Sequence, residues 1–140
     1  MIVGFCGETD DQFNNTLKMV EDIRFDKVHS AAYSTRTGTI ADRKMVDDIA
    51  EDTKKNRLKI INSTQESILT ELNSKLIGTT QEVLIEGAKD SKPFGRNRND
   101  KIVFVATNEP QENLQSGELV NVTIEETSPW YLKGTAVRLK

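Results

Sequence analysis

The hydrophobic pattern of this 140-residue chain changes its period at Gly78. Before this glycine, apolar residues recur every three or four positions, as they do along one face of an α-helix. After it, short β-rich runs alternate with loops that hold Gly, Pro, Asn and Ser, which is typical of a small all-β domain. A chain of this length has room for one domain of ordinary size, or for a small domain with an appendage.

The first helix is predicted from a capping signal. An apolar run at residues 2–5 is followed by Thr9 and Gln12, which have the spacing of a capping box. The helix should therefore begin near Asp10, and its apolar stripe continues to about Arg24.

The first 48 residues are expected to form an incomplete α/β sheet. Residues 2–5 and 25–33 predict strands on either side of the helix, and residues 34–47 predict a loop. A strand, helix and strand form a parallel unit that does not cover both faces of its own sheet. This part is therefore predicted to belong to a larger α/β sheet, as though the chain began partway through one.

A long helix is predicted to link this part to the rest of the chain. Asp48 and Glu51 offer a cap and its return partner, and Gly78 supplies the stop. The apolar stripe between them consists of Leu58, Ile61, Ile68, Leu69, Leu72 and Leu76. At about 1.5 Å per residue the helix would be roughly 40 Å long. Weak helix formers at residues 62–64 mark the expected bend.

The carboxy-terminal residues predict a small antiparallel β-barrel. Its β-rich runs lie at residues 80–86, 102–106, 119–126 and 131–138. The predicted fold class is therefore α+β, with three parts in sequence. These are a partial α/β sheet at residues 1–48, a linking helix at 49–78 and an OB-like barrel at 79–140.

A predicted loop at residues 89–101 carries the clearest local charge in a chain whose net charge is −3. Five cations stand against two carboxylates in it: Lys89, Lys92, Arg96, Arg98 and Lys101 against Asp90 and Asp100. Phe94 lies among them between Pro93 and Gly95, so its ring is available to stack on a base while the cations meet phosphates. The alternative is a solvated hairpin tip that binds nothing.

Two other groups of residues have both a functional and a plain interpretation. Trp130 and Tyr131 are predicted to fill the core, with Trp130 the more exposed of the two and a second aromatic candidate for RNA. Glu8 follows Gly4 and Gly7 at a strand-to-helix turn, where backbone amides favour a small polar ligand. Its plain interpretation is a solvated acid in the first turn of a helix.

The composition excludes several classes of site. Cys6 is the only cysteine, so the chain has no internal disulfide, no Cys-rich zinc site and no iron–sulfur cluster held by three or four of its own thiolates. We find no catalytic triad, paired carboxylates or metal-ligand spacing, so no catalytic residue and no metal ligand is predicted. No apolar run approaches the roughly 18–20 residues that cross a bilayer, and a cytoplasmic location is expected.

Four segments carry a family resemblance when they are taken in order. They are Ile2-Val3-Gly4-Phe5-Cys6-Gly7-Glu8-Thr9, Tyr33-Ser34-Thr35-Arg36-Thr37-Gly38-Thr39, Lys54-Lys55-Asn56-Arg57-Leu58 and Gly95-Arg96-Asn97-Arg98. With these, the chain resembles the carboxy-terminal part of the radical-SAM tRNA methylthiotransferases of the MiaB type. The resemblance implies the end of a radical-SAM barrel, a linking helix and a TRAM domain, which is a small β-barrel that binds tRNA.

The resemblance also implies site residues. Lys92, Phe94, Arg96, Arg98, Lys101 and Trp130 would bind RNA, with residues 95–98 matching the Gly-Arg motif of the TRAM domain. Gly4, Gly7 and Glu8 would line the S-adenosylmethionine side of the barrel, and Arg36 would lie in a loop near the active site. Cys6, Thr37 and Ala50 stand where the family usually has proline, which affects the geometry expected of these loops.

The family adds a methylthio group to N6-isopentenyladenosine next to the anticodon, using two [4Fe-4S] clusters and S-adenosylmethionine. With one cysteine, this chain holds neither cluster and is predicted to be inactive alone. The expected partner is tRNA, with no DNA and no membrane. Two alternatives stay open: a methylthiotransferase of the ribosomal-protein type, and a non-catalytic interaction module that docks the missing amino-terminal part of the enzyme or self-associates.

Overall fold

A computed structural model describes residues 1–90, 92–107 and 114–137. Its helices and strands are, in chain order, β1 (Ile2–Val3), α1 (Asp10–Ile23), β2 (Ala31–Ala32), α2 (Ile40–Lys44), α3 (Glu51–Ser74), β3 (Thr80–Lys89), β4 (Lys92–Asn97), β5 (Ile102–Ala106), β6 (Leu119–Thr127) and β7 (Leu132–Val137). The chain divides within α3 into two compact units, Met1–Ile68 and Leu69–Lys140. No helix in the described ranges is both long and apolar enough to cross a membrane.

The capping box at the start of α1 is confirmed. The Thr9 hydroxyl accepts a hydrogen bond from the Gln12 amide at 3.2 Å, and the Gln12 side chain accepts one from the Thr9 amide at 3.0 Å. The helix ends at Arg24, whose backbone is left-handed with φ 56°. Phe13 and Val20 of the predicted stripe are buried.

The two strands of the first unit are shorter than predicted. β1 pairs with β2 in parallel, with Ile2 opposite Ala31 and Val3 opposite Ala32. Residues 25–30 and Tyr33 are not strand, which corrects the prediction for 25–33. The physical reason is that a two-residue partner offers hydrogen bonds to only a short stretch of the second strand.

Helix α2 was predicted as loop. Thr39 is its cap and accepts a hydrogen bond from the Asp42 amide at 3.2 Å. Arg43 and Lys44 lie in its last turn, where cations suit the helix dipole. The cap was visible in the sequence, but the helix is only five residues long and buries none of them, so it has no apolar stripe to detect.

Helix α3 is shorter than the sequence predicts, because it begins later and ends earlier. It starts at Glu51, and Asp48 instead accepts a hydrogen bond from the Gly7 amide at 2.7 Å. It stops at Ser74, and the chain turns before Gly78, whose amide donates to the Ile124 carbonyl at 2.8 Å. The helix is continuous through residues 62–64.

Two cations of α3 are buried in the first unit. Lys54 is 1 % exposed, and its Nζ lies 2.7 Å from Asp47 and 3.1 Å from Glu51. The hydrogen bond with Asp47 raises the pKa of Lys54 although burial opposes it. Its stem packs on Gly4, where a Cβ would lie 2.5 Å from Lys54 Cγ. A side chain at Gly4 would therefore displace this lysine.

Arg57, one turn further along α3, contacts the turn before α1. Its guanidinium lies 2.6 Å from the Glu8 carboxylate and 2.7 Å from Asp10, and it donates to the Glu8 carbonyl at 3.1 Å. Burial disfavours its charge, but the hydrogen bonds to Asp10 and Glu8 outweigh this and raise the pKa of Arg57. Arg57 therefore fastens the turn between β1 and α1 to α3.

The second unit is a closed barrel with the strand order β3-β4-β5-β7-β6. Among the described residues, the β5–β7 pairing is parallel and the other pairings are antiparallel. Alternate residues of the strands form the core: Val83, Ile85, Val103, Val105, Val122, Ile124 and Leu132. The predicted barrel and α+β class are confirmed. Arg138 of the predicted last strand lies outside the described residues.

Strand β4 corrects the prediction of a loop at residues 89–101. Lys92–Asn97 pairs with β3 on one side and β5 on the other. Its buried positions are Gly95 and Asn97, so it lacks the apolar residues that reveal a strand. Asn97 donates to Gln81 and accepts from the amides of Asn99 and Lys101, which shapes the turn into β5.

Gly95 is required where β3 and β4 approach most closely. A Cβ at this position would lie 2.0 Å from the Leu84 carbonyl oxygen, which is backbone and has little freedom to move. The glycine of the Gly-Arg motif therefore has a packing role in the barrel wall. Gly134 is similar, since its Cβ would lie 2.1 Å from the Thr123 carbonyl oxygen.

We expect Arg57→Gln to lower the free energy of unfolding of the first unit by about 3–5 kcal/mol, because it leaves the largely buried Glu8 carboxylate without its cation. Asp10→Asn is the matched control, since Asp10 is exposed and exposed pairs contribute about 0–1 kcal/mol. Urea unfolding followed by helical circular dichroism measures both. Equal losses for the two variants would contradict this role of Arg57.

We expect Gly95→Ala to lower the free energy of unfolding of the barrel by about 3 kcal/mol, because the methyl group meets the β3 backbone. Gly87→Ala is the matched control, since its nearest neighbour would be Phe94 at 3.8 Å. The fluorescence of Trp130, the only tryptophan, follows barrel unfolding in urea. A Gly95 variant as stable as the Gly87 variant would refute the close approach.

Candidate nucleic-acid interface

The outer surface of the barrel carries most of the predicted RNA-binding residues. Because side chains alternate along a strand, the buried Gly95 and Asn97 place Phe94 and Arg96 on the outer face of β4, and Arg98 follows in the turn after it. The strand register sets their neighbours on β3 and β5. Arg96 is opposite Leu84, and Phe94 is opposite Phe104.

Arg96 of β4 and Arg98 in the turn after it are both paired with carboxylates. Arg96 Nε lies 3.1 Å from Glu86, and its Nη1 lies 3.0 Å from both the carboxylate and the carbonyl oxygen of Asp100. Arg98 Nη2 lies 2.5 Å from Glu82. We call these five residues the arginine ladder. The positive charge predicted for this surface is therefore partly neutralised by acidic residues, two of which belong to β3.

Beside the arginine ladder, three aromatic rings form a row across β4, β5 and the start of β7. The ring centroids of Phe94 and Phe104 are 6.2 Å apart, and those of Phe104 and Tyr131 are 5.5 Å apart with the planes nearly perpendicular. Lys133 Nζ lies 5.7 Å from the Tyr131 centroid. All three rings are half-buried. We call Phe94, Phe104 and Tyr131 the aromatic row.

A groove of about 260 Å³ adjoins the aromatic row. Phe104 lines it together with Lys92, Lys133, Glu125 and Glu126, so one ring, two cations and two carboxylates share this space. Lys133 also contacts Glu126 at 2.7 Å, and this hydrogen bond raises the pKa of the lysine and lowers that of the glutamate. The groove offers an aromatic wall to a base, and a phosphate there would compete with the two glutamates for the lysines.

The remaining RNA-binding candidates lie near the ends of strands. Lys101 is half-buried in the turn that Asn97 shapes. Trp130 lies in the turn between β6 and β7, and 54 % of it is exposed. The prediction that Trp130 and Tyr131 fill the core is wrong, because neither belongs to the buried core of the barrel, but Trp130 is the more exposed of the two as expected.

The candidate residues of the first unit are engaged within the chain. The Gly4 amide donates to Glu8 at 2.6 Å, and the Gly7 amide donates to Asp48. The Glu8 carboxylate also forms an ion pair with Arg57, so Glu8 closes the turn and is not a solvated acid. Arg36 is exposed beside a groove that Ile2 and Phe5 line. A role for these four residues beside S-adenosylmethionine stays a prediction.

Sequence reasoning counted Asp100 against the cations but missed Phe104, Lys133 and the two glutamates of the arginine ladder, Glu82 and Glu86. Phe104 lies in an apolar run, where only the alternation of buried Val103 and Val105 marks it as outward. Glu82 and Glu86 alternate with buried valine and isoleucine on β3, so their outward direction was legible. The pairing of Glu82 and Glu86 with Arg98 and Arg96 does not follow from the sequence, because residues 89–101 predict a loop.

Comparison with known proteins decides the family of the second unit. Residues 74–137 match the TRAM domain. This part of the chain belongs to the TRAM family. The five-stranded barrel, the arginine ladder and the aromatic row all lie in the TRAM domain.

The whole chain is similar to curated tRNA-modifying enzymes, which confirms the resemblance to the MiaB type. It is 42 % identical over 139 residues to a tRNA-2-methylthio-N(6)-dimethylallyladenosine synthase of Dehalococcoides mccartyi, covering 99 % of this chain and 32 % of that protein. A synthase of the same name from Herpetosiphon aurantiacus is 41 % identical, with 98 % and 31 % covered. The chain thus spans about a third of the length of these relatives.

The residues of this chain do not fit an iron–sulfur cluster. Three thiolates are needed for each cluster of the family, and the chain has only Cys6. Within residues 1–90, 92–107 and 114–137, no three His, Cys, Asp or Glu side chains are grouped as metal ligands. No step of cluster chemistry is therefore assigned to these residues.

The Glu126–Lys133 pair predicts a pH dependence. Because Lys133 lowers the pKa of Glu126, the pair stabilises the barrel above the ordinary glutamate pKa, and this contribution is lost as the pH falls through the lowered value. We expect Lys133→Met to return the Glu126 pKa to its ordinary range. Carboxyl ¹³C NMR titration measures this, and an unchanged Glu126 pKa in the variant would contradict the pairing.

Proposed function

We propose that this chain is the tRNA-binding portion of a MiaB-type tRNA methylthiotransferase, and that its TRAM domain contacts the RNA. The observation that carries the proposal is the aromatic row flanked by Lys92 and Lys133 on a domain of the TRAM family. Similarity to tRNA-2-methylthio-N(6)-dimethylallyladenosine synthases supports tRNA as the RNA, and the resemblance to the MiaB type implies the region next to the anticodon. A cytoplasmic location is part of this proposal.

In this proposal, the barrel surface uses two kinds of contact. Unpaired bases stack on the aromatic row, and cations at its margin meet the phosphates between them. Lys92 is exposed at the start of β4 and lines the groove, and Trp130 is exposed in the turn between β6 and β7, so both are accessible to RNA. The thiolates for the two [4Fe-4S] clusters of the methylthiolation are not among the residues of this chain, whose only cysteine is Cys6.

The stacking contact is tested with Phe104→Leu, which removes a ring and keeps an apolar side chain. We expect the dissociation constant for an anticodon stem-loop RNA, measured by fluorescence anisotropy, to rise about 5- to 100-fold, because one base–aromatic stack contributes about 1–3 kcal/mol. Phe5→Leu is the matched control, since Phe5 is a 40 % exposed ring of the first unit. Equal affinity of the Phe104 variant and the wild type would refute the aromatic row as a base platform.

A second candidate function is a protein-interaction module. The sheet of β1 and β2 has an adjoining groove of about 400 Å³ lined by Ile2, Phe5 and Tyr33, among others, and Ile2 is 59 % exposed. Exposed apolar surface of this kind favours a protein partner or self-association. Sedimentation with and without tRNA separates the two functions, because an interaction module alone would form oligomers that ignore RNA.

A further inference from the structure

The arginines expected to meet phosphate are already occupied by the chain's own carboxylates. Register places Arg96 opposite Leu84 and Asn97 opposite Val83, so Arg98 follows the last paired residue of β4, and Glu86 lies at the irregularity of β3 between Ile85 and Gly87. The contacts are Arg98–Glu82 at 2.5 Å and Arg96–Glu86 at 3.1 Å. Phosphate must therefore compete with two acidic residues that the sheet itself positions.

The acceptors around Arg96 resemble those that a phosphate would offer. Its Nε faces the Glu86 carboxylate, and its Nη1 donates to two oxygens of Asp100. Asp100 has a left-handed backbone with φ 60° and lies in the turn shaped by Asn97, so its oxygens are held in place. Arginine donates in a fixed fork that fits carboxylate and phosphate equally.

We infer that Glu82 and Glu86 compete with phosphate for Arg98 and Arg96. The glutamates pair with these arginines in the free TRAM domain, and RNA displaces them when it binds. The inference rests on the proposed function, because it presumes that the barrel binds RNA. Exposed ion pairs are weak, so a polyanion that meets both arginines is able to displace the glutamates. The class of ligand is a nucleic-acid backbone with neighbouring phosphates.

This exchange changes the salt dependence of binding. An arginine that neutralises a phosphate releases the counterions condensed on the RNA, and this steepens the fall of affinity with salt. An arginine that must first release a tethered carboxylate steepens the salt dependence less, because the displaced carboxylate stays near the RNA and repels it. The arginine ladder therefore lowers both the affinity for RNA and the salt slope below what two unpaired arginines would give.

The test uses Glu82→Gln and Glu86→Gln, which keep the shape of the side chain and remove the charge. Anisotropy with an anticodon stem-loop RNA over a series of KCl concentrations gives affinity and slope. We expect each variant of the full chain to bind about two- to five-fold more tightly at low salt, with a slope steeper by up to about 0.7 for single-stranded RNA. Glu71→Gln is the matched control, because it also removes one charge and frees one cation, Lys75, but on α3.

A double-mutant cycle decides whether Glu82 acts through Arg98. In an Arg98→Gln background the gain from Glu82→Gln should vanish, because the arginine to be freed is absent. A gain of the same size in that background would overturn the inference, as would unchanged or weaker binding by both single variants. If the wild type binds RNA and the variants gain nothing, the inference alone fails. If neither wild type nor variants bind RNA, the proposed function fails with it.

Discussion

The close approach of neighbouring strands at Gly95 and Gly134 is the constraint on which the barrel depends. At both positions a Cβ would lie within about 2 Å of a backbone oxygen on the next strand, so the wall closes only around glycine. Closure turns the valines, isoleucines and Leu132 inward and leaves every other residue of each strand outside. The outward set is then free to carry charge and aromatic rings, which the core does not need.

The outer surface of the TRAM domain divides into two chemically different parts. On β3 and β4 the arginines meet glutamates and an aspartate, so charge is paired there and little net field extends into solvent. On β4, β5 and β7 the surface is aromatic, with lysines at its margin. Stacking is insensitive to charge, whereas phosphate contact competes with the pairing. The aromatic row is for this reason the stronger candidate for the primary RNA contact, and the arginine ladder modulates it.

The sequence predicted what depends on local chemistry and missed what depends on pairing. The capping box at Thr9 and Gln12 and the period of the β-rich runs are local, and both appear in the structure. β4 was missed because its inward positions are Gly95 and Asn97, which are dictated by close approach and by a turn, not by hydrophobicity. Because β4 is predicted as a loop, the sequence also does not reveal that Arg96 and Arg98 pair with Glu86 and Glu82 of β3. Charge counted along a chain overestimates a positive surface whenever the neighbouring strand supplies the carboxylates.

In the first unit, too, tertiary partners change the environment that the sequence predicts for a side chain. Glu8 has the position expected of a residue beside a ligand, after two glycines at a strand-to-helix turn, yet its carboxylate is held by the Gly4 amide and by Arg57. Lys54 fills the space over Gly4 in the same way. A ligand at this turn would have to approach amides that face carboxylates of the chain, which disfavours an anion. Arg36 lies on the exposed side of this unit, beside the groove lined by Phe5, and a role for it beside a ligand stays a prediction.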